Sequence, residues 1–170
     1  MPTLQVRFGH ASHPDQVLCE SIQGILDAHN SMAMATVTPT GQSYINTIHY
    51  GYDNRLNFFV LTQPFTQHSQ NVAANPSVSV AIWNEPQVWG TDLKGLQLFG
   101  NCERVKEAEL QHAIDAFTQH IPAFGDVFKT PADTEKSESK LYVIHTVGVK
   151  ILDEPRFGRR NYLTAEILNA

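Results

Sequence analysis

The sequence predicts a mainly β domain with flanking helices, an α+β arrangement in which six antiparallel strands close into a small barrel. Three observations lead there. Six runs rich in β-branched and aromatic residues are separated mostly by turn signals. Two further segments carry apolar residues at helical spacing. A sheet of this size with one buried face protects its edges best by closing on itself.

Taken in order, Pro14 suits a first helical turn, and Leu18, Ile22, Ile25, Leu26 and His29 then recur at helical spacing, so a helix is expected over 14–29. Met32–Val37 runs into the turn Pro39-Thr40-Gly41, and Tyr44–Tyr50 returns as a hairpin. Asp53-Asn54 is the next turn and Leu56–Thr62 runs back. A helical segment, Thr66–Asn75, stops at Asn75-Pro76, and Ser77–Trp83 alternates with Val78, Val80 and Ile82 on one face. A looser segment, Asn84–Thr91, holds Pro86 and Trp89. Leu93–Val105 reads as a long strand whose glycines, Gly95 and Gly100, mark a bulge, a bend or a close approach. Glu107–His120 is a second amphipathic helix with Leu110, Ile114 and Phe117 on its apolar face. Pro122–Ser139 is polar and loop-like, Lys140–Leu152 is the last long strand, and the tail Asp153–Ala170 ends in a short helical stretch. The chain thus forms one domain over 1–170: helix 14–29, core barrel 31–105, helix and last strand 107–152, tail 153–170.

A chain of 170 residues, 42% hydrophobic and 17% charged, can bury a substantial core. A net charge of -5 argues against nucleic acid, which demands a concentrated basic surface; the tightest basic cluster is Arg156, Arg159 and Arg160. No apolar run approaches the ~20 residues of a membrane span, and MPTLQVRFGH lacks the apolar stretch of a signal peptide. Cys19 and Cys102 have neither CxxC spacing nor grouped histidines and read as buried thiols in a reducing compartment. The expectation is a cytoplasmic protein that binds neither nucleic acid nor membrane.

Chemistry concentrates in Tyr44–Pro76. The loop Pro64–His68 lies at the mouth of a helix, where outward N–H groups and the positive dipole end favour an anion such as a phosphate.

In that order the chain resembles the pyridoxamine 5'-phosphate oxidase-like family of FMN-binding split β-barrels. The matching block is Met32–Val105: the hairpin MAMATVTPTGQSYINTIHY, the strand NFFVLT, the helix TQHSQNVAANP, the strand SVSVAIW and finally KGLQLFGNCERV. The resemblance implies FMN as cofactor, a homodimer with two sites at its interface, and flavin-dependent oxidoreduction of a small molecule. It also exposes departures. Oxidases hold the phosphate with an Arg-Lys pair where Gln67 and His68 stand here, and have an Arg where Ile45 stands. One titratable histidine replaces two fixed cations. The C-terminal substrate motif of the oxidases is not recognisable, so the chain reads as a relative of the oxidase. The tail RFGRRNYL is similar to a less characterised branch.

Carried over by position, Thr62, Thr66, Gln67 and His68 fall at the phosphate end, with Thr66 equally suited to be a helix N-cap. Asn46, Thr47 and His49 lie on the strand that borders the flavin ring, Thr47 and His49 on one face and Asn46 on the other. Lys94 and Gln97 match the family strand that reaches the flavin, often from the second subunit. Trp83 and Trp89 are either a lid or packing, and Arg159 and Arg160 either clamp an anionic substrate or face solvent. His10 and His13 have metal spacing without a third ligand, so no metal is expected. No catalytic residue is identifiable. The rival class is a non-enzymatic protein that stores or senses flavin, haem or a vitamin B6 phosphate, and a deazaflavin-dependent reductase is a third reading.

Overall fold

The computed structural model describes residues 3–9, 11–83 and 88–168. In chain order these form β1 (Arg7–Gly9), α1 (Asp15–Leu26), β2 (Ser31–Val37), β3 (Ser43–His49), β4 (Gly51–Tyr52), β5 (Asn57–Thr62), α2 (Gln67–Ala74), β6 (Ser77–Trp83) and β7 (Lys94–Arg104). A 3-10 turn (Glu107–Glu109) then opens α3 (Leu110–His120), followed by α4 (Phe124–Val127), α5 (Pro131–Lys136), β8 (Lys140–Asp153), α6 (Glu154–Phe157) and β9 (Tyr162–Leu168).

The pairings trace the expected barrel. β2 lies between β3 and β6, β6 pairs β7, and β7 pairs β8. The first half of β8, Lys140–His145, pairs β5, and β5 pairs β4. β4 follows β3 after the single residue Tyr50, so the circuit returns to its start. The six expected strands are the six staves of this circuit, the second broken at Tyr50.

Nine strands are present among the described residues instead of six, for two reasons. One is that break. The other is a pair of terminal strands: the second half of β8, Gly148–Leu152, pairs β9, which in turn pairs β1. The tail is therefore a strand and not a helical end. Its Ala, Glu and Leu are good helix formers, but Leu163, Ala165 and Ile167 alternate inward onto the sheet, and pairing overrides propensity. The 122–139 segment also holds two short helices where a loop was expected. α5 carries a capping box between Thr130 and Asp133, with Pro131 in its first turn.

Two apolar clusters hold the fold. Inside the barrel, Met34, Tyr50, Tyr52, Phe58, Val80 and Leu98 meet the buried face of α1. Leu18, Ile22, Ile25 and Leu26 on that face are each at most 1% exposed, and burial of each contributes ~1.5–3 kcal/mol. On the other face of β5 and β8, Phe59, Leu141 and Val143 pack under Ile114, Phe117 and Phe124. The glycine signal in β7 is real: the register shifts between Phe99 and Gly100, and a Cβ on Gly100 would strike the His145 carbonyl.

Candidate functional site

β5 ends at Thr62, four residues turn, and α2 begins at Gln67, which brings Thr62, Thr66 and His68 together. His68 Nε2 lies 2.6 Å from Thr62 Oγ1 and 3.1 Å from Thr66 Oγ1. The Thr66 hydroxyl is also 2.9 Å from the Gln63 carbonyl and 2.9 Å from Ser69 Oγ. A carbonyl only accepts, so Thr66 gives its one proton to Gln63 and can meet His68 only as an acceptor, whereas Thr62 Oγ1 can donate to Nε2 or accept from it. Burial pushes the imidazole below its ordinary pKa, favouring the neutral ring.

Thr66 occupies the N-cap position of α2 without capping it: its side chain bonds none of the helix N–H groups. The first turn of α2 therefore presents its N–H groups beside a cluster of hydroxyls and one imidazole, a neutral but strongly polar anion seat. Gln67 is less available than expected. Its amide donates to Asn71 Oδ1 at 2.9 Å, and the fully buried Asn71 donates to Thr36 Oγ1 at 2.9 Å, pinning α2 to β2. Asn71 and Thr36 are structural supports that no sequence signal announced. Their contacts join segments as far as 35 residues apart, which no local pattern records.

On β3 the faces alternate as expected. Asn46 sits opposite Met34 on the barrel side, and its amide nitrogen and oxygen are buried with no partner among the described residues. Buried polar atoms left unpaired are rare in folded proteins and mark a position waiting for a partner. Thr47 is exposed on the outer face. His49, on the same face, lies with Nδ1 2.9 Å from the Asn30 carbonyl, so Nδ1–H is the donor to that oxygen.

Lys94 stands apart from Thr62 and His68, whereas Gln97 shares a cross-strand row with Thr47 through Ala81 and Ala33. Thr62 pairs Lys140, near the Arg104 end of β7, whereas Lys94 pairs Asp153 at the other end. Ten residues of strand separate Lys94 from Arg104, about 33 Å at ~3.3 Å per residue. One protomer does not bring Lys94 to Thr62. Lys94 is half-exposed and ion-paired with the buried Asp153 at 3.5 Å, and Gln97 lies on the outer face opposite Ala81 and Lys150. Trp83 and Lys94 border the same groove of about 240 Å³, while Trp89 projects fully into solvent.

Of the remaining candidates, Arg159 is engaged with Asp92 and the Gly90 carbonyl. His10 and Pro86 lie outside the described residues, and His13 bonds Ser12 and stacks edge-on against Phe157. Among the described residues no three His, Cys, Asp or Glu side chains are grouped to hold a metal, and no helix is long and apolar enough to cross a membrane. Cys102 is buried and its thiol pushed up to about 12, whereas Cys19 is only half-buried, against expectation.

The family model described as pyridoxamine 5'-phosphate oxidase matches residues 18–152. No curated protein matches the chain in sequence. Among solved structures, a heme binding protein from Mycobacterium smegmatis aligns with a TM-score of 0.71 at 19% identity, over 91% of this chain and 59% of that one. This chain thus spans less than two thirds of that protein's length. The heme storage protein from Vibrio cholerae aligns with a TM-score of 0.61 at 17% identity, over 75% of this chain and 88% of that one. General stress protein 26 from Bacillus anthracis gives 0.58 at 14% identity, over 78% and 92%. With the ordered barrel, the α2 turn and a family match over most of its length, the chain belongs to the pyridoxamine 5'-phosphate oxidase-like split-barrel family, as a relative of the oxidase and not the oxidase itself.

Proposed function

We propose that the protein binds FMN as a homodimer and acts as a flavin-dependent oxidoreductase on a small molecule. The observation that carries this reading is the uncapped first turn of α2 beside Thr62, Thr66 and His68. These groups fit a phosphate: backbone N–H donors, hydroxyls, and an imidazole that gains a proton when a dianion sits beside it. The orphaned Asn46 amide fits a hydrogen-bonding heterocycle edge nearby on β3. Lys94 and Gln97 would join the set from a second copy, a reading supported by the length of strand between Lys94 and the Arg104 end of β7 near Thr62. Bound flavin would supply hydride or electron transfer between a reduced nucleotide and a small acceptor. The chain's own residues would anchor, orient and desolvate it.

A second reading, a haem-binding protein, is favoured by His49. An exposed imidazole whose Nδ1–H is fixed on a backbone carbonyl while Nε2 stays free is the arrangement that orients histidine ligands toward iron. Two structural neighbours are described as heme binding and heme storage proteins, and the oxidase cations are absent at 45, 67 and 68. The absorption spectrum of protein loaded with either group, read before and after adding reduced nicotinamide nucleotide, separates the readings. Flavin bands that bleach support the enzyme and persistent ones a binder. A Soret band lost in His49→Ala would replace the FMN reading with haem.

A further inference from the structure

A cleft of about 580 Å³ opens between the loop ending at Leu93 and the turn that follows α6, lined by Trp89, Leu93, Glu154, Arg159, Arg160 and Tyr162. Its volume is that of a small-molecule site. Its walls are tied together by side chains with little other role. Glu154, at the floor and 8% exposed, accepts from Leu93 N at 2.9 Å with one oxygen and from Arg160 N at 2.8 Å with the other. Arg159 adds a second strap, from the turn to Asp92 at 3.0 Å and to the Gly90 carbonyl at 2.8 Å. Both acids at the cleft are thereby occupied, Glu154 by backbone donors and Asp92 by Arg159.

Arg160 is left over. Its guanidinium has no partner among the described residues, and its backbone is held at φ 58°, a left-handed conformation that an arginine enters only under constraint. Trp89 beside it is 100% exposed, and Tyr162 presents a ring over which Lys150 Nζ sits 4.4 Å from the centroid. A free cation on a constrained turn, a fully exposed indole and prefixed walls form a recognisable combination. We propose that this cleft binds a small planar anion, an aromatic carboxylate in chemical class, with its ring against Trp89 and its acid group on Arg160. The site is independent of the FMN assignment, although it adjoins the groove of Lys94 and Gln97 through Tyr162.

Calorimetric titration with indole-3-carboxylate and its neutral carboxamide, with and without FMN, tests this. The acid is expected to bind at least tenfold more tightly than the amide in both conditions. Arg160→Gln should erase that preference, and Trp89→Ala should weaken both ligands. Arg160→Gly separates binding from folding: glycine accepts the positive φ, so the melting temperature should hold or rise while acid binding falls about tenfold. Equal affinity for acid and amide, no measurable binding, or an Arg160→Gly protein that binds as wild type would each overturn the proposal. Loss of FMN binding alone would leave it standing.

Discussion

His68 shows how one side chain couples charge to cofactor. Unliganded, it is half-buried and neutral, with Nε2 shared between two threonine hydroxyls. A phosphate dianion placed there would stabilise the protonated form, raising a pKa that burial has lowered. Binding therefore takes up a proton. FMN affinity should be greatest below the free imidazole's lowered pKa and should fall as pH rises through the bound-state value. Riboflavin, lacking the phosphate, should show no such dependence. His68→Ala should cost FMN about one to two decades in dissociation constant, the worth of a charge-assisted hydrogen bond of ~1.5–3 kcal/mol, and leave riboflavin nearly unchanged. Fluorescence titration of both flavins at several pH values checks this. Equal losses for the two would move His68 away from the phosphate. The loop was legible in sequence as a polar run before a helix. That Gln67 is held by Asn71 was not, because Asn71 answers to Thr36 on a strand that approaches only after folding.

Elements were legible where their signal is local. Runs rich in β-branched and aromatic residues bounded by turn signals exposed all six barrel strands, and the Gly100 bulge was readable as a glycine in a strand. β9 escaped because its inward face is weak, one buried leucine among Ala and Ile, and one of its two partners, β1, lies at the other end of the chain. The two short helices escaped because four- and six-residue segments carry too few turns to establish a period. The break at Tyr50 comes from a meeting of elements: α3 crosses β4 so closely that a Cβ on Gly51 would collide with the Phe117 backbone. Gly51→Ala must push the helix off the strand and disturb the Phe59, Phe117 and Phe124 cluster. The expected cost is about 1–3 kcal/mol, or a melting temperature lower by roughly 2–10 °C. An unchanged melting curve would show that α3 is free to shift. Gly24, with open space where its Cβ would be, is the matched control.

For the whole molecule, the outer face of the sheet is unusual for an isolated protomer. Ala33, Ala35, Ser79 and Ala81 form a low central patch, flanked by the exposed Ile45, Phe99 and Trp83. Under the homodimer reading this face meets its counterpart, and Ile45→Lys with Phe99→Lys should shift sedimentation from dimer to monomer. A dimer that persists would place the interface elsewhere. The barrel interior makes a separate demand. His120 is 8% exposed, stacked on Tyr50 at 4.8 Å and edge-on to Tyr52 at 4.9 Å, with Nε2 2.8 Å from the His29 carbonyl. Because a carbonyl only accepts, Nε2 carries the proton, and the buried Nδ1 has no partner among the described residues. Protonating Nδ1 would place a charge among aromatic rings, and burial accordingly pushes this pKa down, as it does for His68. The unfolded chain takes up these protons near the ordinary histidine value of about 6.5 and the folded chain does not. Their contribution is fully present above that pH and is lost as pH falls through the lowered folded values. The urea midpoint should therefore drop between pH 7.5 and 5, before ordinary carboxylates titrate. His120→Gln keeps a donor for the His29 carbonyl but cannot titrate, so its midpoint should start lower and fall less steeply. If wild type and His120→Gln lose stability in parallel over this range, the buried imidazole is not the acid-sensitive group.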